Sequence, residues 1–116
     1  MYNKKAFNTY VEIDDTLSGA EFEKKWFESV IMVLQRVQNN YYNPVVTHVK
    51  LLEVCNGLEW VQDNLNDKLS TEHKTLLENI YSCCITIINS AIILKDFIYL
   101  DIVISSVKTV MEPYNK

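Results

Sequence analysis

Four stretches of the chain repeat their apolar residues every three or four positions, the spacing that lines one face of an α-helix and that a strand, with its period of two, does not share. The first runs through Phe22, Trp26, Val30, Val33 and Val37, flanked by Phe27, Ile31 and Leu34. The second is Leu51, Val54, Leu58, Val61 and Leu65, with Val45, Val49 and Leu52 extending it backwards. The third carries two stripes, Leu77, Ile80, Cys84, Ile87, Ala91 and Leu94 beside Tyr81, Ile85, Ile88 and Ile92, so its apolar face covers about half the helix circumference. The fourth carries Leu100, Val103, Val107, Val110 and Met111, with Ile98 and Ile102 on the opposite face. Only two glycines and two prolines occur in 116 residues, too few for a protein built on β-hairpins. The expected fold is all-α, a single antiparallel four-helix bundle over 18–116 preceded by a short N-terminal cap segment over 1–17.

The boundaries have chemical signals. Ser18-Gly19-Ala20-Glu21 fits a capping box, in which the serine oxygen accepts from a free backbone N–H and the glutamate reaches back, so the first helix starts near Gly19 and ends at Asn39-Asn40. Asn43-Pro44 opens the second, because asparagine caps well and proline gives up an N–H that has no helical partner there. That helix runs towards Asn66, and Asn66-Asp67-Lys68 is a loop. Ser70 or Thr71 caps the third, with Glu72 favourably placed against the helix dipole, and Lys95-Asp96 breaks it. Pro113 stops the fourth. Gly57 lies beside the second stripe at a propensity cost of about 1 kcal/mol against alanine, and a close helix crossing is expected there.

Charge and motifs exclude several functions. A net charge of −4, a pI near 5.1 and a single arginine, Arg36, leave little to neutralise phosphates, so neither nucleic acid nor an anionic membrane surface is an expected partner. The uncharged run from Asn79 to Leu94 is shorter than the roughly 20 residues of a membrane span, and Asn79, Ser82, Thr86, Asn89 and Ser90 line one side of it, so no membrane insertion is expected. No apolar run follows Met1-Tyr2-Asn3-Lys4-Lys5, and no cleaved signal peptide is expected. Cys55, Cys83 and Cys84 cannot all pair within one chain and are expected as core thiols in a reducing cytoplasm. His48 and His73 have no second ligand at metal spacing and are expected on the surface. No phosphate loop or nucleophile elbow occurs, and the acidic residues are scattered. No catalytic residue, metal or cofactor is therefore expected, and the chain does not read as an enzyme.

The order of residues resembles the flagellar export (flagellin-specific) chaperone family, FliS. The family's run of Leu-Tyr, then Ala-Asn, Asp, Leu and Val with a closing aromatic is similar to Ile80-Tyr81, Ala91, Asp96, Leu100, Val103 and Tyr114, without gaps. Ile92 follows Ala91 where the family has asparagine, and Tyr114 stands where tryptophan is usual. Nearer the start, Ala6-Phe7-Asn8-Thr9-Tyr10 resembles Ala-Tyr-x-x-Tyr, and Ser18-Gly19-Ala20-Glu21-Phe22 resembles the Ser-Pro-x-x-Leu helix start. Trp26-Phe27-Glu28-Ser29 matches Leu-Tyr-Asp-Gly loosely, and the second helix matches in length and apolar phase.

The resemblance implies a cytoplasmic chaperone that binds the disordered C-terminal segment of flagellin, prevents premature polymerisation and presents the subunit to the flagellar export gate for secretion. It also implies an N-terminal segment that covers part of the binding surface and gives way to cargo. The expected partner-binding residues are Ile85, Ile88, Ile92, Ile98 and Ile102, which fall outside the main stripes, with Phe7 and Tyr10 as the cover. The alternative is a structural or self-associating helical adaptor with a different cargo, whose extra stripes form a homodimer contact.

Overall fold

The computed structural model describes residues 19–115 and places them in four α-helices and a closing 3-10 turn: α1 (Gly19–Gln38), α2 (Pro44–Asp63), α3 (Thr71–Leu94), α4 (Leu100–Met111) and the turn Glu112–Asn115. The cap segment 1–17, with Phe7 and Tyr10, and the capping residue Ser18 lie outside the described residues.

Short connections make consecutive helices antiparallel neighbours. α2 and α3 share the most extensive seam, α4 packs on both α1 and α3, and α2 closes the ring against α1 more loosely. The chain is therefore an all-α four-helix bundle, as its periodicity requires.

The helix ends follow from local chemistry. α1 finishes in a Schellman motif: Asn40 takes the left-handed conformation at φ 56°, Tyr41 N–H donates to the Arg36 carbonyl at 2.9 Å, and Asn40 N–H donates to Val37 at 3.2 Å. Asparagine tolerates that conformation better than most residues. At the start of α2, Asn43 Oδ1 accepts from Val46 N–H at 2.8 Å and Pro44 occupies the first turn. Ser70, not Thr71, caps α3, its hydroxyl accepting from His73 N–H at 3.1 Å. α2 stops at Asp63, short of the expected Asn66, because Asn64 turns back to donate to the Trp60 carbonyl at 2.8 Å and satisfies the helix end.

The core is built on α1. Phe22, Trp26, Phe27, Val30, Leu34 and Val37 are all buried, with Trp26 and Phe27 meeting edge-on at a centroid distance of 5.2 Å. Opposite them stand Leu51 and Leu58 of α2, Ile88 of α3, and Leu100, Val103 and Val107 of α4. The close crossing expected at Gly57 exists: Gly57 is buried, and a Cβ there would overlap the six-membered ring of Trp26.

Several expectations need correction. Val45, Val49 and Leu52 do not extend the core stripe of α2 but are exposed. At about 100° per residue they cluster on the side opposite Leu51, Val54, Leu58 and Val61. On α3 the buried line is neither stripe but the seam between them, Tyr81, Cys84, Ile88 and Ala91, leaving Leu94 exposed. Only two cysteines are core thiols, because Cys83 faces outwards. Ile98 is in the α3–α4 loop and not on a helix face, and Ile104 joins the core although it belongs to no predicted stripe.

Candidate partner-binding surface

The described site residues divide by depth. Ile88 is 0% exposed and sits in phase with Tyr81, Cys84 and Ala91, so it is a core residue and leaves the set of candidate binding residues. Ile85 and Ile92 flank that seam, half-buried against the core. Ile98 and Ile102 are 64% and 48% exposed, on the loop before α4 and on its first turn. The bundle thus brings Ile92, Ile98 and Ile102 to one region where α3 ends and α4 begins, and withdraws Ile88 from it.

That region is wider than the sequence signalled. Tyr41, Val45, Ile93, Leu94, Ile98 and Tyr99 are each between 62% and 77% exposed, and all six lie at the end of the bundle where the α1–α2 and α3–α4 loops meet. Scattered exposed hydrophobics are ordinary, but a cluster of the most exposed ones at one end makes that end the candidate interaction surface. A signal for Ile93 was present: it falls on neither of the two stripes of α3.

The loops are fixed to one another. Gln38 at the end of α1 donates through Nε2 to the Phe97 carbonyl at 3.1 Å, joining the two connections. Asp96 Oδ1 accepts from Ile98 N–H at 3.2 Å and Lys95 takes the left-handed conformation at φ 54°, which sets the sharp exit from α3. On the other loop the Arg36 guanidinium lies 4.7 Å from the Tyr41 ring centroid, and Tyr41 and Tyr42 meet edge-on at 5.1 Å. A side-chain hydrogen bond to Tyr42 holds Arg36 still more firmly in its charged form. Between the loops, residues including Val37, Leu51, Ile92 and Phe97 floor a half-open cavity of about 190 Å³, with His48 and Lys95 also in its lining.

Further down, the α2–α3 seam is polar at its edge: Gln62 donates to the Glu78 carbonyl at 2.9 Å and to the Ser82 hydroxyl, and the Cys55 thiol donates to Asn89 Oδ1 at 3.5 Å. Burial pushes the Cys55 thiol up and raises Cys84 to about 11, so both are neutral thiols at physiological pH. His48 and His73 are both exposed, and among the described residues no group of three or more His, Cys, Asp or Glu side chains comes together to hold a metal ion. α3 is, by length and composition, apolar enough to cross a membrane, yet Asn79, Ser82, Thr86, Asn89 and Ser90 are all exposed along it.

Among the described residues, the chain is a four-helix bundle with exposed apolar side chains gathered at the end where the α1–α2 and α3–α4 loops meet. Compared with known proteins, the chain matches no family model, no curated protein and no solved structure.

Proposed function

We propose that this chain is a cytoplasmic export chaperone that binds the disordered C-terminal region of flagellin stoichiometrically, prevents its premature polymerisation and delivers it for secretion. The observation that carries this reading is the run of exposed apolar side chains Ile93, Leu94, Ile98, Tyr99 and Ile102 across the end of α3 and the start of α4. The run falls within 80–114, where the resemblance to the flagellar export chaperones is densest. Fully burying an isoleucine or leucine side chain is worth about 1.5 to 3 kcal/mol, so several of them can offset the 2 to 5 kcal/mol or more that ordering a disordered segment costs. The function requires no reaction and no cofactor, and the export gate is a further partner once cargo is loaded.

A second reading, a self-associating adaptor, draws support from the exposed stripe Val45, Val49 and Leu52 on α2. Mass measurement in solution separates the two. A chaperone forms a one-to-one complex with a flagellin C-terminal segment, whereas an adaptor forms a homodimer that the segment leaves unchanged.

A further inference from the structure

The loop end of the bundle carries more than an apolar face. Its cavity of about 190 Å³ is floored by Val37, Leu51, Ile92 and Phe97, and a cavity of about 150 Å³ with such a lining holds a benzene ring, so a phenyl or isobutyl side chain fits. Lys95 and His48 line the same cavity, and among the described residues no aspartate or glutamate does. Asp96, next in sequence, is turned into its own loop, where its Oδ1 accepts from Ile98 N–H. Among the described residues no acidic side chain pairs with Lys95.

An apolar floor with a cation and an imidazole beside it is complementary to a bulky apolar group that bears a carboxylate. We infer that this cavity seats the C-terminal residue of a partner polypeptide, its side chain against Ile92 and Phe97 and its α-carboxylate with Lys95 and His48. A small free acid shares that chemistry, but it would leave the rim bare. Tyr41, Val45, Ile93, Leu94, Ile98 and Tyr99 each stand within two residues of a lining position and are open to solvent, and a chain approaching the cavity would cover them. Capture of a terminal carboxylate is an established mode of peptide recognition. The inference rests on the proposed function in one respect, that the partner is a polypeptide whose free end reaches this bundle.

The test uses the full chain and a flagellin C-terminal peptide in two forms, one with a free carboxylate and one amidated, together with 3-phenylpropanoate as the small acid. The free peptide should bind about tenfold more tightly than the amide, the scale of one charge-assisted contact. That ratio should collapse towards one in Lys95→Gly, which removes the ammonium at a left-handed position that glycine favours, and in Lys95→Gln. Equal binding of free and amidated peptide by the native protein, or an undiminished ratio in both variants, would overturn the terminal-carboxylate site and leave the cargo function standing. Binding of 3-phenylpropanoate as tight as that of the peptide would overturn the polypeptide as occupant. Failure of every peptide form to bind would overturn both this inference and the cargo function.

Discussion

Gly57 of α2 lies against the ring of Trp26 in α1 at a spacing that leaves no room for a methyl group. Trp26 is 1% exposed and held among core side chains, so the contact limits how near the two helices approach. Gly57→Ala should therefore destabilise the bundle by about 1 to 2 kcal/mol, because overpacking at 1 to 3 kcal/mol outweighs the gain of about 1 kcal/mol in helix propensity. Urea unfolding followed by tryptophan fluorescence measures this. In a Trp26→Phe background the same substitution should cost less, and equal costs in the two backgrounds would contradict the contact.

Ile88 and Ile102 separate the core from the surface. Ile88→Ala should cost about 2 to 5 kcal/mol, the range for truncating a fully buried aliphatic side chain. Ile102→Ala should stay within about 0.5 kcal/mol of the native protein, as surface changes do. Chemical denaturation of the two variants checks both, and similar losses would refute the burial assigned to Ile88.

This contrast also shows what the sequence could convey. The helix count, the cap at Asn43, a cap at Ser70 or Thr71 and the end at Asn39-Asn40 were legible because each depends on neighbours in sequence, whereas the glycine beside an apolar stripe signalled a crossing at Gly57 without identifying Trp26 as its partner. Which part of an apolar half-circumference faces inwards was not. On α3 two stripes were equally periodic, and only packing against α2 and α4 selected the seam through Cys84 and Ile88. The exposed apolar end was illegible for a related reason, because Tyr41 and Tyr99 are far apart in sequence and are brought to one end only by the antiparallel arrangement.

The three cysteines should differ in reactivity. Cys83 is exposed and should react with Ellman's reagent in the native protein, whereas Cys55 and Cys84 should react only on unfolding. Three equivalents released at one rate would contradict the assignment.

Alkaline pH should destabilise the fold. The Cys84 thiol is raised from 9.0 to about 11, and burial pushes Cys55 in the same direction. Above pH 9 the unfolded chain releases thiol protons that the native state retains, so stability should fall as pH rises from about 9 towards 11. Cys84→Ala should flatten that decline even though it lowers overall stability. Urea midpoints measured from pH 7 to 10.5 test the slope, and a midpoint constant up to pH 10.5 would contradict the shifts.

Lys95 occupies the left-handed region at φ 54°, where a residue with a Cβ is strained by about 1 to 2 kcal/mol. Lys95→Gly should raise stability by about 0.5 to 1 kcal/mol once the greater freedom of the unfolded chain is subtracted. Asn40→Gly, at φ 56°, should gain less, because asparagine already tolerates this conformation. Thermal melting of the two variants gives the comparison, and a lower melting temperature for Lys95→Gly would contradict it.

The central claim, that the exposed apolar end of α3 and α4 binds cargo, is tested most directly by titrating a flagellin C-terminal segment against the native protein and against the double variant Ile98→Asp, Ile102→Asp. The account predicts saturable one-to-one binding by the native protein and at least about tenfold weaker binding by the variant, with unchanged helicity and melting. Equal affinity in a folded double variant, or no binding by the native protein, would contradict it.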